Sequence, residues 1–437
     1  MSVRSGYRQT EIGEIPKDWR YGTLVTFAMT RDDPVQTGPF GAQLHASDYV
    51  DEGVPLILIR NVVNGRIVNE DIPRISRRKA TELERYRLRP GDIVFSRVGS
   101  VGRAAVVRSE QAGWLVSGQM LRVRLENPEI ETDYLAYVIA SHWFQKALAS
   151  RLVGSTRKSI NTEILQNLPL IVPPIVEQQK IAFILSKVDD AIQNTDEIIA
   201  KTQQLKKGLM QQLLTKGIGH TKFKQTEIGE IPEEWKVVRL GELVDVLNGR
   251  FFPSEHYTDT GIKLLRPGNL HEEGFIDWNQ ANTRYLPVEY ASSAKEWIVR
   301  GNEIVINLTA QSLEEEFLGR ACITSEDEYC LLNQRIARIT PRSIDAVFLF
   351  WVMKSGVFRR FVDRLPGGTK IKHIYTRELL SFQVPYPPLA EQRRIAKVLL
   401  DTSQKIAYEK DLLSRLHSLK KGLMQVLLTG RVRVKVN

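Results

Sequence analysis

Gln9-Thr10-Glu11-Ile12-Gly13-Glu14-Ile15-Pro16 returns without a change as Gln225-Thr226-Glu227-Ile228-Gly229-Glu230-Ile231-Pro232, and a tryptophan follows each copy, Trp19 and Trp235. The copies lie 216 positions apart in a chain of 437 residues. Far downstream a second pair recurs at a spacing of 214: Pro173-Pro174, Glu177-Gln178, Ile181-Ala182 and Leu205-Lys206-Lys207-Gly208-Leu209-Met210 answer Pro387-Pro388, Glu391-Gln392, Ile395-Ala396 and Leu419-Lys420-Lys421-Gly422-Leu423-Met424. Two nearly equal spacings describe one unit of about half the chain, used twice.

Between these anchors the halves diverge, yet a skeleton persists. Ile59-Arg60 stands beside Leu265-Arg266, Pro90-Gly91-Asp92-Ile93-Val94 beside Arg300-Gly301-Asn302-Glu303-Ile304-Val305, and Gly102-Arg103-Ala104 beside Gly319-Arg320-Ala321. A kept frame with different filling suits two domains that read different targets.

The variable stretches read as mixed α/β. Strand-forming runs at Pro55 to Arg60, Asp92 to Arg97, Ala104 to Arg108 and Met120 to Leu125 are broken by turns such as Asn64-Gly65. A helix from a Thr132-Asp133 cap to Ser150 and another from Ile344 to Arg364 follow.

After each Pro-Pro comes a long helical pattern, Glu177 to Leu214 and Glu391 to Leu428, with apolar residues at alternating steps of four and three. The first seam is Ile181, Leu185, Val188, Ile192, Ile199, Leu209 and Leu213; the second is Ile395, Leu399, Ile406, Leu413, Leu416, Leu423 and Leu427. Polar breaks coincide at Thr195 with Glu409 and at Lys206 with Lys420. The expected fold is α+β: two globular domains and two long antiparallel coiled-coil helices of about 57 Å, related by a pseudo-twofold repeat.

The formal charge of +10 favours a polyanionic partner. Without eighteen consecutive apolar residues or a leader-like start, no membrane span is expected and the location reads as cytoplasmic. Cys322 and Cys330 form no CxxC pair, the seven histidines show no metal-ligand spacing, and Gly-Lys, which a phosphate loop needs, never occurs. A catalytic site and a bound metal are therefore both expected to be absent. Glu314-Glu315-Glu316 reads as a solvated charge run rather than an active site.

The arrangement resembles the specificity subunit of type I restriction-modification enzymes, in which a variable target-recognition domain and a long helix alternate twice. The residues that carry the likeness are the paired Ile-Gly-Glu-Ile-Pro-x-x-Trp openings, the Val172-Pro173-Pro174 and Tyr386-Pro387-Pro388 helix starts, and the paired Leu-Lys-Lys-Gly-Leu-Met endings. The resemblance implies recognition domains at 1–172 and 218–386, spacer helices at 173–217 and 387–430, and a tail at 431–437. Each domain would read one half of a split, asymmetric double-stranded DNA target across the major groove, with the coil setting the unread gap. It also implies two methyltransferase subunits docked on the helices and restriction-translocase subunits, with S-adenosylmethionine, ATP and Mg²⁺ in those partners and none in this chain. The competing reading is a free-standing bipartite DNA-binding regulator or architectural protein.

Base reading needs side chains able to offer paired hydrogen bonds, and phosphates need cations. The candidates in the first half are Arg60, Asn61, Arg97, Ser100, Arg103, Gln119, Thr156, Arg157 and Lys158. In the second they are Arg266, Asn269, Asn307, Gln311, Arg320, Gln334, Thr369, Lys370 and Lys372. Arg60 and Arg266 recur in both halves and equally suit a bracing role.

Overall fold

The computed structural model describes residues 3–30, 33–63, 65–99, 101–152, 159–310, 317–365 and 372–435. It contains two compact units, residues 1–196 with 412–437 and residues 197–411.

The repeated octapeptide is a β-hairpin. Strand Tyr7–Thr10 pairs with Gly13–Pro16, and Phe223–Thr226 with Gly229–Pro232 in the same register. The Thr10 hydroxyl donates to the Gly13 carbonyl at 2.7 Å, as Thr226 does to Gly229 at 2.6 Å. Gly13 and Gly229 have φ of 113° and 114°, where a side chain would be strained, so the turn dictates its glycine.

Each unit is built on the same four-stranded antiparallel sheet. In the first the order is Ala104–Val106, Ile93–Ser96, Met120–Val123, Val35–Thr37. In the second it is Ala321–Ile323, Ile304–Asn307, Ile336–Pro341, Val244–Asn248. A smaller sheet adds one parallel pair to each unit, Leu115–Val116 with Leu56 and Ile57, and Cys330–Leu332 with Lys263–Leu265. The strand-forming runs are thus present but shorter than expected: Pro55 to Arg60 divides into strand Val54–Ile57 and a 3-10 turn, Ile59–Asn61.

The expected helix from Thr132 to Ser150 is two helices, Thr132–Ala140 and His142–Arg151, and its counterpart is Ala346–Met353 and Gly356–Arg364. Ser141 and Ser355 make both breaks: each is extended, and its hydroxyl caps the next helix, accepting from Phe144 N and Val357 N respectively. Thr132-Asp133 is not the expected cap, because Glu131 holds that position and its N–H goes to the Gln178 side chain at 2.9 Å.

The two Pro-Pro pairs open the long helices Ile175–Lys216 and Leu389–Leu427. Within the first unit Glu177 meets Arg433 and Asp189 meets Lys420, so the helix segments run antiparallel. Within the second unit Glu391 accepts from the Ile218 N–H just beyond the first helix, which gives the same sense. Ile181, Leu185, Ile192, Ile199, Leu213, Ile395, Leu399, Ile406 and Leu427 are buried, and Val188, Leu209, Leu413, Leu416 and Leu423 half-buried. Thr195 and Glu409 are buried too.

The Glu-Gln of the helix start joins helix to sheet domain. Buried Glu177 accepts from Trp19 Nε1 at 3.1 Å, and Glu391 from Trp235 Nε1 at 3.0 Å. Gln178 donates to the carbonyls of Glu129 and Pro173, both at 2.8 Å, and Gln392 to Pro387.

Cys322 and Cys330 are fully buried. Burial pushes the Cys322 thiol up to about 12, and burial with the nearby Glu328 raises Cys330. Since the thiolate is the nucleophile, a thiol-directed reagent at pH 8 is expected to label neither cysteine in the native protein and both in denaturant, read by mass spectrometry. Rapid native labelling would contradict the second unit's core.

Candidate nucleic-acid interface

Four loops meet along the edge that one set of strand ends makes in the first unit's main sheet, fixed by backbone hydrogen bonds. Gly38 N donates to Met120 O (3.1 Å), Arg97 N to Gln119 O (2.9 Å), Ile160 N to Arg97 O (2.9 Å) and Ser96 N to Arg103 O (2.8 Å). The second unit repeats the set: Gly249 N to Ile336 O (2.8 Å), Leu308 N to Arg335 O (2.8 Å), Ile374 N to Leu308 O (2.9 Å) and Asn307 N to Arg320 O (2.9 Å). Strand register fixes the same equivalence, since Ser96 faces Met120 as Asn307 faces Ile336.

The frame is therefore the same and the side chains differ. Arg97 is matched by Leu308, Gln119 by Arg335 and Ser159 by His373; Arg103 and Arg320 are alike. Gln119, Arg103 and Arg335 are exposed, while Gln334, Lys372 and His373 are half-buried. Arg335 was missed in the sequence. It adopts φ 72° in the turn, and its counterpart Gln119 gives no hint of a cation there.

The structure gathers Arg97, Arg103 and Gln119 at one edge, and Arg320, Gln334 and Lys372 at the other. Arg97 spends its Nε on Ile160 O at 3.0 Å, and Arg320 reaches Leu270 O at 3.3 Å with its guanidinium 4.8 Å from the Phe317 ring. Ser100, Thr156, Arg157, Lys158, Gln311, Thr369 and Lys370 lie outside the described residues.

Three asparagines expected to read bases are corrected. Asn61 is fully buried; its Oδ1 accepts from Leu58 N at 3.1 Å and its Nδ2 donates to Glu70 O at 3.0 Å. Asn269, also fully buried, accepts from Arg266 N at 2.9 Å. Asn307 is fully buried with its amide on Thr309 O and Phe317 O. Each locks a turn, and a side chain without exposed surface offers nothing to a base edge.

The turn locks also correct the alignment of Arg60 with Arg266. Asn61 and Asn269 are the true counterparts, which sets Arg266 against Leu58 and Arg60 against Gly268. Both arginines brace backbone: Arg60 donates to Asp71 O at 2.9 Å and Arg266 to Asn282 O at 3.1 Å.

A second feature recurs beside each Leu-Lys-Lys-Gly-Leu-Met segment. An open groove of about 900 Å³ in the first unit is lined by Trp143, Lys146, Lys420, Lys421 and Met424. One of about 790 Å³ in the second is lined by Lys206, Lys207, Met210, Trp351, Lys354 and Arg360. Burial holds the Lys206 and Lys354 ammoniums below the usual lysine range, and the hydrogen bond from Lys410 holds Glu273 below the usual carboxylate range.

Among the described residues no group of His, Cys, Asp and Glu could hold a metal ion, and no helix is long and apolar enough to cross a membrane.

The chain matches the type I restriction modification DNA specificity domain over residues 49–204 and 232–418. It is 32% identical to the type I restriction enzyme MjaVIII specificity subunit of Methanocaldococcus jannaschii, over 74% of this chain and 75% of that protein. It is 31% identical to the MjaX specificity subunit of the same organism, over 98% of this chain and 97% of that one. The crystal structure of the type I restriction-modification S subunit from M. genitalium superposes with a TM-score of 0.57 at 16% identity, over 100% of this chain and 99% of that one. A chain from a type I restriction-modification assembly gives 0.55 at 18% identity, over 96% and 99%. These two likenesses concern the fold.

Proposed function

The chain belongs to the type I restriction modification DNA specificity family, and from that premise we propose how its parts divide the work. It is a DNA-recognition subunit, without catalysis of its own, that acts with the other subunits of a restriction-modification system. Each unit reads one half of a bipartite, asymmetric target. The observation that carries this is the pair of four-loop edges, identical in backbone bonding and different in side chains: Arg97 against Leu308, Gln119 against Arg335, Ser159 against His373. Two such edges give one docking geometry and two sequences read.

In this reading the paired long helices set the unread gap. The two grooves beside the Lys-Lys-Gly-Leu-Met segments are equivalent, which favours two methyltransferase subunits, one on each. Their apolar walls suit a partner that covers them. Restriction-translocase subunits then join, and S-adenosylmethionine, ATP and Mg²⁺ belong to the partners. The complex works in the cytoplasm, where its DNA lies.

The test is co-expression with the methyltransferase subunit of the same source, followed by mapping methylated adenines over the host genome at single-base resolution. A split motif with two defined halves and a constant gap is expected. Replacing residues 1–172 by the corresponding domain of a relative should then change one half alone; a change in both halves, or methylation without a split motif, would overturn the division of labour.

A further inference from the structure

At the two recognition edges, where most equivalent side chains differ, one exposed aromatic is the same. Gly38-Pro39-Phe40 follows the strand Val35–Thr37, and Gly249-Arg250-Phe251 follows Val244–Asn248. Strand register makes these segments counterparts, since Thr37 faces Leu121 and Asn248 faces Ala337, each one residue into the equivalent strand. Phe40 is 62% exposed and Phe251 60%, more than any other phenylalanine among the described residues.

Neither position is a loose end. A Cβ on Gly38 would lie 2.3 Å from Ser117 O, and one on Gly249 would lie 1.9 Å from Asn333 O, so both chains press against the equivalent loop without room for a side chain. Phe40 is further held by Gly118, whose Cβ would sit 2.5 Å from that of Phe40. The backbone at Phe251 is tied by Arg250 N to Leu332 O at 3.1 Å and by Gln334 N to Arg250 O at 2.9 Å. A fixed backbone thus carries a large apolar ring into water, twice. Leaving a ring exposed forgoes the free energy of burying it.

The surroundings point to the occupant. Phe40 adjoins Gln119 through Gly118, with Arg97 bonded to Gln119; Phe251 adjoins Arg250 and Gln334, with Arg335 next along the chain. An apolar ring on an edge that also exposes Arg103 and Gln119 in one unit and Arg335 in the other suits the stacked bases of duplex DNA, where a phenylalanine can wedge between steps while cations hold phosphates. The identity of the residue in two otherwise different edges suits a task that does not depend on the sequence read.

We propose that Phe40 and Phe251 are paired wedges, one for each half-site, that insert beside the bases and unstack a step without selecting it. This rests on the DNA-recognition reading above.

The test uses the full chain in complex with its methyltransferase subunits and duplexes carrying 2-aminopurine at successive steps of each half-site. Phe40→Ala is expected to weaken binding about 10- to 100-fold, equivalent to about 1.4–2.8 kcal/mol. It should abolish the fluorescence rise in one half-site, and leave the methylated motif and the salt dependence unchanged. Phe251→Ala should do the same in the other half, and Phe40→Trp should restore the signal. As both side chains are exposed, unfolding temperatures should stay near that of the parent, which also excludes misfolding as the cause. An unaltered affinity and fluorescence in the alanine variants would overturn the wedges, as would an altered motif, which would make the rings sequence readers. If the parent complex itself binds no defined sequence, the DNA-recognition reading fails instead.

Discussion

Asp92→Ala is expected to destabilise the first unit by about 3–5 kcal/mol, while the equivalent Glu303→Ala in the second is expected to cost about 1 kcal/mol. Asp92 and Arg124 form a bidentate pair at 2.7 and 2.6 Å, with side chains only 2% and 5% exposed. Asp92 also accepts from Arg89 N at 2.8 Å. Removing the carboxylate leaves a buried guanidinium without its counter-charge, and the bond its Nη2 keeps to the Arg87 carbonyl at 3.2 Å does not replace that attraction. Glu303 keeps the same backbone bond, from Arg300 N at 2.8 Å, but meets Arg338 only at 3.6 Å with both side chains about one fifth exposed. A protein of two units need not unfold in one step, so the readout is hydrogen exchange of 93–96 and 120–123 against 304–307. Equal losses of protection in the two variants would show that burial does not govern these pairs.

The second large effect concerns the gap. One heptad added to each long helix, by duplicating residues 192–198 and 406–412, is expected to lengthen the unread gap and leave both half-sites as they were. Seven residues add about 10 Å of rise, which corresponds to at most about three base pairs of duplex at about 34 Å per turn. A heptad keeps the apolar seam in phase to within about 20°, so Ile192, Ile199 and Ile406 remain on the packed face. The check is the same methylation map. An unchanged gap, or a change in either half-site, would remove the helices from the role of ruler.

Which features were legible in the sequence follows from the range of the forces that set them. The hairpin of the octapeptide is local: its threonine and glycine close the turn by themselves, so two identical octapeptides make two identical hairpins. The long helices were legible because a seam of apolar residues records the face that packs. The breaks at Ser141 and Ser355 were not, because a serine inside an apolar pattern looks tolerable until its hydroxyl is seen capping the next helix. Asn61, Asn269 and Asn307 looked like base readers because an exposed amide has the right chemistry; their partners are backbone groups within about a dozen residues, and the sequence does not show that the chain folds back on them. Arginine identity likewise misled the pairing of Arg60 with Arg266, since the residue that fixes the turn is the asparagine nearby.

The division of the chain into residues 1–196 with 412–437 and residues 197–411 has a consequence for biosynthesis. The second unit is one continuous stretch and has all its parts as soon as residue 411 leaves the ribosome. The first unit emerges earlier but stays unfinished, because Leu427 and Leu428 belong to the same core cluster as Trp19 and Leu185, and Arg433 neutralises the buried Glu177. The nascent chain therefore carries an open apolar cleft throughout the making of the second unit. Of the two, the half made first is the half completed last, and its unfilled apolar surface is the kind that chaperones cover.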